Sequence, residues 1–292
     1  MSAIRPIPGR IFARLEERNK RSGSQTKKVE TEQVSGSLPN WSDSTRRVPN
    51  VALRSALFAA VGKGRRPYLE RAEINALGGI SILYTGALLD QGDLDVWETV
   101  LHLARAQDLS SECRVTAYRL LKTLGRTDTG NNRAILDRRL SRLKATALQI
   151  RAGKLSYEGS LIHEVYREHE SRGYVIRLNP NLDALFLADQ FTDVDWSVRQ
   201  ALHRRPLAQW LHSFYATHAR PYDLKVETLH RLCGSRAICL SDFRKDLRRS
   251  LDAVSEACDL AGQPLSYSIN GGLVRVKTTP SPSQRRHLIS KR

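Results

Sequence analysis

Asn131, Arg133, Arg138, Arg139 and Arg142 in one stretch, and Arg244, Lys245, Arg248 and Arg249 in another, gather cationic and polar side chains on one side of a helix. An arginine so placed can grip guanine O6 and N7 through two parallel N–H donors, or it can hold a phosphate. Projected at about 100° per residue, the first stretch separates into two faces. Leu136, Leu140, Leu143 and Ala147 cluster, Asn131, Arg138 and Arg142 lie opposite, Arg139 flanks them, and Arg133 sits near the N-terminal end towards the apolar edge. In the second stretch Phe243, Leu247, Leu251, Val254 and Cys258 form the apolar stripe. Lys245, Arg248 and Arg249 point away from it, with Arg244 at its margin. Arg275 and Lys277 alternate with valines further on, where they could touch flanking phosphates or simply guard a sheet edge. The spacing does not say which arginine meets a base and which a phosphate.

The elements that must position these side chains follow one plan, used twice. From about Thr116 to Ala147, and again from about Leu224 to Cys258, a short helix, a glycine-bearing turn and a longer helix succeed one another. In the first copy Thr116 is a candidate N-cap for Ala117–Leu124, Gly125 stops that helix, and Asn131–Ala147 forms the basic one. In the second, Leu224, Val226, Leu229 and Leu232 lead to Gly234, and Ser241 is a candidate N-cap for the basic helix. Alternating segments follow each pair and read as β-wings: Ala147–Ile150, Leu161–Tyr166 and Tyr174–Leu178 in the first, and a hairpin around Asn270-Gly271-Gly272 in the second. Upstream, Gly79–Tyr84 reads as a strand. Leu94, Trp97, Val100, Leu101 and Ala104 fall on one helical face, with Asp93 and Asp95 complementing the helix dipole. Pro206 opens a helix carrying Leu207, Trp210, Leu211 and Phe214 as core.

The expected architecture is α+β and mainly helical: two tandem winged-helix domains, residues 50–178 and 179–278, divided at Asn179-Pro180-Asn181. Residues 1–49 and 279–292 read as disordered basic tails. A basic helix on a packed helix pair suits the major groove of double-stranded DNA, which admits one helix. The charge agrees: 47 Lys+Arg against 30 Asp+Glu, a formal net charge of +17 and a pI near 10.2 favour a polyanionic partner. No apolar run reaches signal-peptide or membrane-spanning length, so neither export nor membrane attachment is expected. Cys113, Cys233, Cys239 and Cys258 lack C-x-x-C spacing and read as free thiols in a reducing cytoplasm.

Enzymatic readings fare less well. His163 and His169 lie among Glu164, Glu168 and Glu170 without a third ligand at metal spacing. His230 and Cys233 share a helix turn but have no second pair. No glycine-rich cradle ending in Lys-Ser/Thr is present, which argues against ATP hydrolysis, and the His-x-His of a rolling-circle nickase is absent. A tyrosine recombinase would need a His-x-x-Arg element before a late helical tyrosine. Tyr215, Tyr222 and Tyr267 lack that context, and Tyr267 falls on the expected hairpin. The expectation is therefore no catalysis, no cofactor and no metal. A transcriptional repressor would use the same winged helices.

The chain also resembles the TrfA family of plasmid replication initiators over about Pro49 to Lys277. The resemblance rests on Pro49-Asn50 with Arg54-Ser55-Ala56-Leu57-Phe58, on Tyr84-Thr85-Gly86, and on Leu140-Ser141-Arg142-Leu143-Lys144-Ala145-Thr146-Ala147. It continues through Leu185-Phe186, Pro221-Tyr222-Asp223-Leu224-Lys225-Val226-Glu227-Thr228 and Cys233-Gly234-Ser235. It implies two winged-helix domains that bind direct repeats (iterons) at a plasmid origin. It further implies opening of an adjacent A/T-rich segment, recruitment of the host replicative helicase, and dimers distinct from the DNA-binding monomer. Single-stranded DNA of the opened origin becomes a further expected partner. By position, Ser241–Cys258 should be the main repeat reader and Asn131–Ala147 should bind an adjacent stretch. One departure stands out. The best-known members carry a glutamine-led Leu-Phe peptide for the polymerase sliding clamp, whereas here the region reads Gln33-Val34-Ser35-Gly36-Ser37-Leu38-Pro39-Asn40-Trp41 without the paired Leu-Phe, so the resemblance does not extend to clamp binding.

Overall fold

The structure is a computed structural model describing residues 41–62, 64–105, 112–152, 155–168, 173–186 and 190–290. These residues belong to one compact unit, Gly36–Arg292. In chain order, β1 (Thr45–Pro49) leads into α1 (Asn50–Leu53), β2 (Phe58–Ala59), β3 (Tyr68–Ile74), β4 (Ile80–Ala87), β5 (Leu89–Asp90) and α2 (Gln91–Ala104). Then come β6 (Glu112–Thr116), α3 (Ala117–Thr123), α4 (Gly130–Lys144), β7 (Ala147–Ala152), β8 (Leu155–Gly159), β9 (Ile162–Glu168) and β10 (Gly173–Leu178). A 3-10 helix at Pro180–Phe186 precedes β11 (Phe191–Asp195), α5 (Trp196–Ala201) and α6 (Pro206–Ala216). The chain continues through β12 (Leu224–Lys225), α7 (Val226–Leu232), α8 (Leu240–Leu260), β13 (Leu265–Asn270), β14 (Leu273–Thr278) and α9 (Pro282–Ser290).

Two apolar cores organise these elements into lobes. One runs from Trp41 and Val48 through Trp97, Leu120, Leu140 and Ile176 to Val194 and Trp196. The other begins at Val198 and gathers Trp210, Phe214, Leu229, Phe243, Leu247, Val254 and Val274. Both expected helix pairs are present. Thr116 caps α3 by accepting a hydrogen bond from Arg119 N–H, and Gly125 takes a φ of 67° that a residue with a Cβ rarely adopts. In the second lobe β13 and β14 form the expected hairpin. Its turn is Gly271–Gly272, and both glycines have positive φ, as a two-residue hairpin turn of type I′ requires.

Strands outnumber the expected wings. Ala147–Ala152 does not pair with Leu161–Tyr166 but enters a four-stranded sheet of order β3-β4-β7-β8. Leu148 and Ile150 face Tyr84 and Ile82 across that ladder, and burying all four is what draws β7 to β4. A second sheet, β6-β10-β9, contains the other two expected segments, and β12 adds a third strand to the hairpin. β3 escaped the sequence reading because Tyr68-Leu-Glu-Arg-Ala-Glu-Ile74 is largely exposed and shows no apolar alternation.

Three local expectations are corrected. α4 ends at Lys144, so Ala147 is an exposed strand residue rather than part of the helical stripe. α8 starts at Leu240 with Cys239 at its N-cap, which puts Ser241 inside the first turn. The assigned tails are partly ordered. Residues 45–49 pair with β11 through contacts such as Arg46 with Val194, and residues 282–290 form α9, which Gln284 ties down by donating to the Ala216 carbonyl at 2.8 Å. Residues 1–40, including most of the clamp-peptide region, lie outside the described residues. Among the described residues, no helix is long and apolar enough to cross a membrane.

Candidate nucleic-acid interface

α8 carries the larger cationic face. Phe243, Leu247, Leu251, Val254 and Cys258 recur at helical spacing and are buried, while Asp242 in the first turn complements the positive end of the dipole. Neighbouring side chains hold the helix in place. Ser255 Oγ donates to the Leu265 carbonyl at 2.6 Å, and Tyr267 donates to Asp252 Oδ1 at 2.5 Å. At the other end the His230 ring stands edge-on to Phe243, centroids 4.8 Å apart, and its Nε2–H donates to the Ala237 carbonyl at 3.0 Å. The role of His230 is to hold the turn before α8.

Arg244, Lys245, Arg248 and Arg249 are all exposed on the far side. Lys245 pairs with Asp242 at 3.4 Å and Arg249 with Asp246 at 2.6 Å, both one turn away on the surface. Among the described residues the Arg244 and Arg248 guanidinium groups have no carboxylate partner. Arg244 reaches the hairpin turn, its Nη2 lying 3.9 Å from where a Cβ on Gly272 would stand. Further along β14, Lys277 is exposed and Arg275 is held by Asp223 through contacts of 2.7 to 3.1 Å. Two exposed cations escaped the helical projection because neither lies on α8: Arg236 in the preceding turn and Lys225 on β12.

α4 is built differently from its sequence projection. Asn131 and Arg138 are exposed, and Arg138 has no ion pair among the described residues. Arg133 is half-buried and gripped in two places by Asp128 at 2.5 Å, which fixes the entry loop instead of leaving the cation open. Arg139 and Arg142 turn inward. Arg142 donates to Asp93 at 2.8 Å, and Arg139 bridges Asp90 at 2.7 Å and Asp93 at 3.1 Å. The placement of Arg142 opposite the leucines is therefore corrected, because a long side chain can fold back along α4 to reach the first turn of α2.

The acceptors there already form a capping box: Asp90 accepts from Asp93 N–H, and the Asp93 carboxylate accepts from Asp90 N–H. Arg66 adds a second cation on Asp90, the third arginine of the network. Burial pushes the Asp93 carboxyl up despite its arginines. At Asp90 burial acts the same way, but Arg139 and Arg66 outweigh it and hold the carboxyl below its usual range. Gly92 completes the arrangement, since a Cβ there would run into the Arg139 guanidinium. No sequence motif announced this network; the only signal was an aspartate pair opening an apolar helix.

The lobes meet at Arg199 on α5, which is wholly buried. Its Nε donates to Asp95 Oδ1 at 2.7 Å, with Glu98 Oε1 equally close but off the N–H axis; Nη1 donates to Ser213 Oγ at 2.9 Å and Nη2 to the Gln91 carbonyl at 3.0 Å. Asp95, read as a dipole-complementing residue, instead serves this junction. The α1–β2 stretch crosses to the second lobe as well: Arg54 donates to the Thr217 carbonyl at 2.6 Å, and Ala60 N–H to the Cys233 carbonyl at 2.7 Å.

The residues considered for chemistry are placed elsewhere. Tyr215 is buried, Tyr267 lies on the hairpin, and no group of three potential metal ligands occurs among the described residues. His163 sits on β9; His169 falls outside the described residues.

Two lobes, each with a helix pair and antiparallel strands and joined through a buried arginine, define an α+β protein built on one plan used twice. The same fold occurs in crystal structures of domains 2 and 3 of RctB. One has a TM-score of 0.53 at 16% identity, covering 76% of this chain and 94% of that one; a second has a TM-score of 0.50 at 14% identity, covering 78% and 97%. The TrfA protein family model matches residues 17–277, and the chain belongs to that family. It is 28% identical over 248 residues to the plasmid replication initiator protein TrfA of Escherichia coli, an alignment covering 81% of this chain and 63% of that protein.

Proposed function

We propose that this chain initiates replication of a plasmid-type replicon in the cytoplasm by binding direct repeats at its origin. Both lobes act as winged helices: α8 enters the major groove of a repeat as the main reader, and α4 binds an adjacent stretch. Binding promotes opening of a neighbouring A/T-rich segment and brings in the host replicative helicase. The chain also forms a homodimer distinct from the DNA-binding monomer. The reading draws on family membership and on the relative's name. The single observation that carries it is the outer face of α8, where Arg244, beside the hairpin turn, and Arg248 stand exposed with no carboxylate partner among the described residues. Cations left unpaired in this way are available to phosphates and to guanine edges.

Within the site, Arg244, Lys245, Arg248 and Arg249 contact DNA from α8, and Arg275 and Lys277 contact flanking phosphates. Asn131 and Arg138 contact DNA from α4. Arg133, Arg139 and Arg142 serve that surface by fixing the helix, because their guanidinium groups are already engaged by Asp128, Asp90 and Asp93. DNase I footprinting across the DNA flanking the coding sequence, with permanganate probing of the same fragment, tests the proposal. Protection phased with direct repeats and permanganate-reactive thymines alongside are expected. Protection of a single promoter operator without melting would favour a repressor, and a covalent protein–DNA adduct would favour a recombinase.

A further inference from the structure

The turn between α7 and α8 carries an apolar side chain that the protein leaves uncovered. Ile238 is 100% exposed, one residue before the N-cap of α8, while its neighbours Ala237 and Leu240 pack against the second core. The backbone beneath it is held firmly. The Ala237 carbonyl accepts from His230, Ala237 N–H donates to Ser235 Oγ at 3.2 Å, and Gly234 takes the positive φ that ends α7. Ile238 is thus presented at a fixed position, with exposed Arg236 close in sequence and the Arg244 and Arg248 face following it.

In a helix–turn–helix the residues at the start of the second helix meet base edges. Among groups in the major groove, the C5-methyl of thymine is the apolar one, and it pairs with apolar side chains. We propose that Ile238 is a specificity-determining residue that packs on a thymine C5-methyl in each bound repeat. This rests on α8 being the groove reader. An arginine cannot supply the contact, because it discriminates through hydrogen bonds. An isoleucine adds no affinity for the wrong base beyond what the cations already provide.

The test uses the full chain and a duplex carrying one footprinted repeat, with each thymine replaced in turn by deoxyuridine, which lacks only the methyl group. For the wild type, replacement at one or two positions should weaken binding about three- to tenfold, the scale of one buried methyl group. For Ile238→Ala, thymine and deoxyuridine duplexes should bind equally at those positions, with an unchanged melting temperature because the side chain is exposed. A wild type indifferent to every replacement overturns the proposal, as does an alanine variant that keeps the full methyl effect. So does a variant altered only in self-association. Failure of the wild type to bind the repeat under any condition would instead sink the groove-reading role of α8, and this inference with it.

Discussion

Arg199 Nε and Asp95 Oδ1 lie 2.7 Å apart inside the molecule, and that bond joins α5 of one lobe to α2 of the other. A buried charge is tolerated only with its partners in place, so the two lobes share one electrostatic fastening. Removing Arg199 takes from buried Asp95 and Glu98 the cation in direct contact with both. Arg199→Ala should lower unfolding free energy by about 3–5 kcal/mol in urea titration. Wild-type stability in the variant would show that the junction does not hold the lobes together.

Glu98 gives that junction a pH signature. Burial, with Asp95 nearby, pushes its carboxyl up to about 7 against the pull of Arg199. The folded pKa exceeds the unfolded one, so the stabilising contribution is complete below about pH 4.5 and is lost as pH rises through 7. Glu98→Gln removes this dependence. The stability of wild type relative to the variant should fall by roughly 3 kcal/mol between pH 4.5 and pH 8, read from melts across that range. A constant difference would mean that Glu98 is ionised in the folded protein across that range, its carboxyl not raised by burial.

The arginines of α4 should divide into two behaviours. Arg142→Ala strips a hydrogen-bonded cation from buried Asp93 and should cost about 3–5 kcal/mol of stability. Gly92→Ala should destabilise as well, by driving a Cβ into the Arg139 guanidinium. Arg138→Ala should leave the melting temperature unchanged while weakening repeat binding. Equal melting temperatures for all three variants would contradict the inward network.

How far the sequence disclosed these roles depended on the length of the side chain. Leucine and phenylalanine stripes on α4 and α8 follow helical period, and the cores lie where that period puts them: Leu136, Leu140, Leu143, Phe243 and Leu247 are all buried. Arg142 projected outward by the same rule yet folds back onto Asp93, because a flexible side chain is placed by its partner as well as by its Cα. β3 was illegible because register with β4, not alternation, makes it a strand. Arg199 drew no reading from the sequence, since no local pattern records a partner about a hundred residues away.

Close packing between β2 and the turn after α7 makes a further expectation specific. Gly234 has φ 62°, and an added Cβ would stand 2.9 Å from the Ala59 Cβ. Gly234→Ala combines backbone strain with that overlap and should destabilise by roughly 1–3 kcal/mol. Leu247→Ala, which opens a void under α8, should cost about 2–5 kcal/mol. Denaturant unfolding of both variants checks these values, and a loss below about 0.5 kcal/mol in either would show a site that relaxes freely.

The most direct measurement is the salt dependence of repeat binding for wild type and for the Arg244→Ala, Arg248→Ala double variant. The pair lies away from the core, so both proteins should melt together. Affinity of the double variant should fall at least tenfold, and its log–log salt slope should be shallower by about 1–2, reflecting lost phosphate contacts. An unchanged affinity and slope would mean that this face of α8 does not meet DNA.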